Sequence, residues 1–216
     1  MGNRVSIALL LTAALCSAQS PAPAETTATY HSDAMGLDFV YLSGFVNKTT
    51  AARVATKEPD LALKKKKAAD GCDTFPITAM DMRKAFNMIF LKRADTACLG
   101  TETTAADRGI ATGNFLTVLL REFGKPTTRS IIDYTIGSHE ASAVSGSVKV
   151  QGDAANTVIY GAASCLVAGR NLACFAFLSS ECQTLPVLSA SKVKFTDTAA
   201  TPVIPTKLLP ACQLGS

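Results

Sequence analysis

Two histidines, His31 and His139, and seven cysteines bound the side-chain chemistry open to this 216-residue chain. His139 is followed by Glu140, a pairing suited to acid–base work, but the HExxH zinc signature fails because position 143 is alanine. His139 could serve as a general base beside a serine and a carboxylate. The G-x-S-x-G elbow that would present such a serine does not occur. Gly124-Lys125 is not a phosphate loop, since Pro126 follows and Leu119 stands where the leading glycine belongs. Asp73, Asp81, Asp95 and Asp107 are scattered without the spacing of a calcium loop. The expectation is therefore His139 at a strand start or turn, His31 solvated, and neither metal nor cofactor.

The cysteines point to a compartment rather than a reaction. Residues 1–18 read as a signal peptide: Arg4 supplies the positive end, and Val5 to Leu15 is an apolar run too short to span a bilayer. Ala18 stands at a cleavage position, with Ala22-Pro23-Ala24 a second candidate. Cys16 follows Leu15 rather than the small residue that precedes a lipidated cysteine. Cleavage leaves Cys72, Cys98, Cys165, Cys174, Cys182 and Cys212, an even number that reads as disulfides in an exported chain. Zinc would want C-x-x-C pairs, and these six are never closer than eight residues.

Composition agrees with a folded, exported domain. The chain is 48% hydrophobic and 18% charged, which excludes a disordered tail protein and a collagen or coiled coil. Its net charge of +4 falls to +3 without Arg4, too mild to argue for nucleic acid. Lys64 to Lys67 reads as a solvated helix face. The sequon Asn47-Lys48-Thr49 matters only in a glycosylating pathway. No later segment has the roughly 18 to 20 apolar residues of a membrane helix.

Elements follow from periodicity. Residues 19–33 read as a flexible leader, and Leu37, Phe39 and Tyr41 alternate as a strand. Phe45-Val46 starts a second short strand, and 49–69 is helix-prone around Pro59. The stretch from Phe75 to Ala97 fits either a helix or a doubly buried strand, and two strands, 73–80 and 85–97, are expected. Residues 104–123 are the clearest helix, with Thr104 and Asp107 spaced as an N-terminal cap and Leu116, Leu119, Leu120 and Phe123 on one face. Strands are expected at 131–136, 143–151, 157–167, 172–178 and 193–195, with a short helix at 182–190. Val144, Val148 and Val150 alternate with Ser145, Ser147 and Lys149, which predicts a half-exposed strand. The strands at 157–167 and 172–178 are apolar on both faces and need cover on both sides. Gly169-Arg170 fits a two-residue hairpin loop, and counting outward places Cys165 opposite Cys174. Cys72–Cys98 and Cys182–Cys212 would complete the set.

This order of elements resembles the PsbP-like fold. Phe39-Val40-Tyr41-Leu42-Ser43-Gly44-Phe45 stands where family members carry an aromatic hairpin, with Leu42 at the usual proline. Residues 157–178 and Leu185 to Phe195, ending Ser191-Lys192-Val193-Lys194-Phe195, look like the family's closing strands and helix. The resemblance spans about residues 30–197. It implies an α+β fold, a three-layer α/β/α sandwich with a mainly antiparallel sheet, in a domain over 34–197 followed by a proline-rich tail over 198–216. It implies a protein that positions partners. The expected function is an exported, non-catalytic binding or assembly factor with a protein or lipid partner; the alternative is a hydrolase using His139 and Glu140. N-terminal sequencing of the exported protein should give a chain beginning at Gln19. A mature chain that begins at an acylated Cys16 would contradict this reading.

Overall fold

The computed structural model describes residues 26–42, 72–81, 86–96, 104–152, 156–196 and 198–209. The signal peptide, Phe45-Val46, the helix-prone 49–69 with its lysine run, Cys98 and Cys212 lie outside the described residues. Among the described residues no helix is long and apolar enough to cross a membrane. Strand accounts for 53% of the described residues and helix for 19%, so the chain is a mostly antiparallel β protein.

The elements in order are β1 (Thr27–Ser32), β2 (Leu37–Leu42), β3 (Asp73–Asp81), β4 (Asn87–Asp95), α1 (Ala105–Arg121), β5 (Thr127–Thr128), β6 (Ile132–Ile136) and β7 (His139–Lys149). Then come β8 (Val158–Ala168), β9 (Asn171–Ser179), α2 (Thr184–Ser189), β10 (Lys192–Phe195), β11 (Thr201–Pro202) and a 3-10 turn, Thr206–Leu208. A larger sheet runs β3-β4-β9-β8-β7-β5, with β6 also paired to β7. A smaller sheet runs β1-β2-β10-β11. The region from Phe75 to Ala97 thus resolves in favour of strands: β4 pairs along its whole length with β9.

The α/β/α sandwich is not what forms. One face of the larger sheet carries α1, with Phe115, Leu116, Leu119 and Leu120 packed on Phe90, Val144, Ile159 and Ala163. The opposite face packs Leu166, Phe175 and Phe177 against Leu37, Phe39, Val193 and Phe195 of the smaller sheet, beside Leu185 and Leu188 of the short α2. The rings of Phe39 and Phe175 lie 4.9 Å apart between the sheets. The two-faced strands did demand cover on both sides, but a second sheet satisfies that demand as well as helices do. The missing information was a long-range pairing: β2 meets β10, with Phe39 opposite Val193 and Leu37 opposite Phe195. Each segment alternates with period two, and nothing local names its partner.

Three further expectations are corrected. Residues 27–32, read as leader, form β1 and pair with β2 from Thr27↔Leu42 to Ser32↔Leu37. The tail contributes β11 and buries Val203 and Ile204, so the folded unit extends beyond residues 34–197 on both sides. Strand β7 starts at His139 and is buried on both faces from Ala141 to Ser145, rather than half exposed. Ser142 and Ser145 are buried because both faces of that stretch lie under other layers, while further along Ser147 is half-buried and Lys149 exposed around the buried Val148, as the alternation predicted.

The local signals of α1 hold in detail. Thr104 Oγ1 accepts from the Asp107 amide at 3.2 Å, and Asp107 Oδ2 accepts from the Thr104 amide at 3.1 Å. The Thr104 hydroxyl and amide together hold the Asp107 carboxyl below its ordinary value. The helix lies close to the sheet because β8 presents Gly161 beneath it. A Cβ there would come within 2.8 Å of Leu116 and of Leu178, both buried.

The β8–β9 hairpin forms in the expected register, Ala168 opposite Asn171 and Cys165 opposite Cys174. Gly169 has φ 59° while Arg170 keeps a negative φ, the pattern of a type II′ turn. A disulfide joins Cys165 to Cys174, whose Cα atoms are 4.1 Å apart. Cys72 and Cys182 are also disulfide-bonded.

Gly161→Val should lower stability by about 1–3 kcal/mol, since two packed leucines must shift for its side chain. Urea unfolding should show a reduced midpoint at unchanged slope. A neutral result would mean that α1 does not rest on β8 as described.

Candidate functional site

Strand geometry decides the fate of the His139–Glu140 pair. Successive residues of a strand point to opposite faces. His139 lies toward the smaller sheet, stacked on Phe195 with ring centroids 3.6 Å apart. Its Nδ1 is 3.2 Å from the Val167 carbonyl, which can only accept, so that nitrogen carries a proton. Glu140 points the other way, toward α1, where its Oε2 accepts from Arg108 Nη1 at 2.9 Å. Ser142 shares the Glu140 face, and Ser145 lies six residues along the strand, about 20 Å away at roughly 3.4 Å per residue. The structure places His139 at a strand start, as expected, but does not join it to Glu140 or to a serine of β7.

The Arg108 cluster escaped the sequence reading. Arg108 Nε donates to Ser142 Oγ at 2.9 Å, and Ser142 Oγ donates to Asp133 Oδ1 at 2.5 Å. Arg108 Nη2 lies 3.5 Å from the same Asp133 oxygen. The arginine side chain is 4% exposed, whereas Asp133 and Glu140 are more than half exposed. A buried guanidinium is thus held between two carboxylates that keep most of their water, a geometry that clamps α1 to β6 and β7. The signal was present in the helix period: Arg108, Thr112, Phe115, Leu116 and Leu119 share the buried face.

Tyr134 of β6 makes a second clamp. Its hydroxyl meets Ser164 Oγ at 2.5 Å and donates to the Val203 carbonyl, which straps the C-terminal segment to the sheet. Burial pushes the Tyr134 phenol well above its ordinary value, and the Ser164 contact opposes that shift.

The open candidate site is a cleft of about 440 Å³ at the end of the β1–β2 hairpin, lined by His31, Asp33, Asp38, Lys194, Phe195 and Thr196 among others. His31 Nδ1 lies 2.6 Å from Asp38 Oδ1 and Nε2 lies 2.9 Å from Asp33 Oδ1. The three elements that build it are β1, the turn and β2, with β10 adding Lys194 opposite Asp38. His31 is solvated as expected, but it sits on a paired strand with two carboxylate partners. Among the described residues no group of three His, Cys, Asp or Glu side chains is arranged to hold a metal ion. The cleft therefore offers fixed charges of both signs, suited to recognising a charged surface. The sequence matches no family model and no curated protein.

Arg108→Ala should cost about 2–4 kcal/mol, because it strips charge-assisted bonds and packing from a buried position. Glu140→Gln should cost less than about 1 kcal/mol, since that carboxylate is mostly solvated. Equal losses in chemical denaturation would show that the arginine is not the centre of the clamp.

Proposed function

We propose that this chain is an exported binding or assembly factor that docks a protein partner and does not turn over a substrate. One observation carries the reading. The His139–Glu140 pair is committed to architecture, His139 against Phe195 and Glu140 against Arg108, while the hairpin cleft presents Asp33, Asp38 and Lys194 with His31 held between the carboxylates. Acidic groups beside the lysine disfavour an anionic lipid surface and favour a protein face of complementary charge. The Cys165–Cys174 disulfide supports an oxidising destination. The PsbP-like likeness supports a positioning role at the level of short motifs, without the α/β/α architecture it implied. A nucleic-acid partner is not part of this reading, since the charge is too mild.

Crosslinking the mature protein in its native envelope fraction, beside Asp33→Lys and Lys194→Glu variants, tests this. The expected result is a discrete protein adduct that both charge reversals reduce. An adduct indifferent to both reversals, or capture by anionic vesicles alone, would overturn the docking reading. Turnover of an ester, peptide or glycan that His139→Ala abolishes would restore the hydrolase.

A further inference from the structure

The hairpin that shapes this cleft holds a hydrogen-bonding arrangement that one protonation state of its histidine completes. His31 and Asp38 are register partners across β1 and β2, and Asp33 opens the turn between the strands. Both imidazole nitrogens therefore face carboxylate oxygens, at 2.6 and 2.9 Å. An ionised carboxylate only accepts, and a neutral imidazole has a single N–H to donate. The neutral ring can satisfy one contact and leaves the other carboxylate to water. The imidazolium satisfies both. The other charged group facing this cluster is Lys194 of β10, the register partner of Asp38. Its positive charge works against a second cation, but two carboxylates in direct contact outweigh one ammonium that lines the same cleft.

The cluster spans a turn that is itself a plug in the core. Met35 is 2% exposed and packs among the residues between the sheets. The Ala34 carbonyl accepts from Asn171 Nδ2 at 2.7 Å, which seats the turn on the β8–β9 hairpin. Within the turn, the Gly36 amide donates to the Asp33 carbonyl at 3.2 Å. His31 ties the strand before this turn to the first turn residue and to the strand after it.

We propose that His31, Asp33 and Asp38 form a proton-operated latch that sets how firmly the turn from Asp33 to Gly36 is seated on the core. The latch goes beyond the docking role and operates with no partner bound. Hydrogen bonding to Asp38, then to Asp33, raises the His31 pKa above its ordinary 6.5. The sign follows directly: the contribution is complete below the ordinary histidine value and is lost as pH rises through the raised one. Above that pH one carboxylate loses its donor, the turn loosens, and the cleft beside it loses its fixed wall.

The test is NMR on the full mature chain, following the His31 imidazole nitrogens and the exchange protection of the Gly36 amide, normalised to the intrinsic rate at each pH. The His31 midpoint should lie above 6.5, and Gly36 protection should fall across that same midpoint. The fall is bounded at tenfold for each unit by which the midpoint exceeds the ordinary value. Asp38→Asn should move the midpoint back toward 6.5 and shrink the fall in protection. A His31 midpoint at or below 6.5, a midpoint unmoved in Asp38→Asn, or Gly36 protection that stays flat through the His31 titration would each overturn the latch. None of these readings depends on whether a partner is ever captured, so failure of the latch and failure of the docking role are separable.

Discussion

The β8–β9 hairpin is buried on both faces, and the rest of the molecule is arranged to keep it so. Every residue of β9 from Asn171 to Ser179 is buried. A sheet with two apolar faces needs two covers, and the chain assembles them from opposite kinds of structure. Helix α1 comes from the middle of the sequence, whereas the smaller sheet joins segments from near both ends of the described chain. Fully burying Phe175 and Phe177 contributes about 1.5–3 kcal/mol each, which is available only while the second sheet is in place.

Both faces of the hairpin mix small and large apolar side chains. Toward α1 it presents Gly161, Ala163, Cys165, Cys174 and Ala176 among the larger Ile159, Leu172 and Leu178, and the missing side chain at Gly161 leaves room for Leu116 of the helix. Toward the smaller sheet it presents Leu166, Phe175 and Phe177 beside Ala162, Ala168 and Ala173, and the two phenylalanines interdigitate with the side chains of the facing sheet. The Cys165–Cys174 disulfide sits on the helix side, where a compact cross-strand link does not hold the helix away. Polar clamps then fix the covers laterally, Arg108 on the helix side and Tyr134 toward the C-terminal strap.

The same alternation distributes the chemistry. Because neighbours on β7 face opposite layers, the adjacent pair His139-Glu140 is split between two environments, one aromatic and one ionic. Adjacency in a strand separates side chains that adjacency in a loop could bring together. Conversely, His31 and Asp38, seven residues apart, become direct neighbours because a tight turn folds one strand onto the next. The charged cleft is a product of that turn and of the β2–β10 pairing that brings Lys194 to it.

Local physics was legible in the residues. The capping box of α1, its apolar stripe, the Gly169-Arg170 turn and the opposition of Cys165 and Cys174 all follow from interactions within a few positions, where spacing is the geometry. The demand for two covers was legible too, from the apolar residues on both faces of β8 and β9. The identity of the second cover was not, because Leu37, Phe39, Val193 and Phe195 state only that each strand has an apolar face. Their pairing is set by a contact across more than 150 residues, and such a contact leaves no local trace. Arg108 lay on the helix's buried stripe, but its partners on β6 and β7 are chosen by where the helix lands. By itself the sequence determined the capped helix, the central hairpin and its disulfide, because these obey short-range rules. Tertiary structure alone decided which layers meet and which charged groups share a cleft, because strand pairing between distant segments is fixed by the packing of the whole.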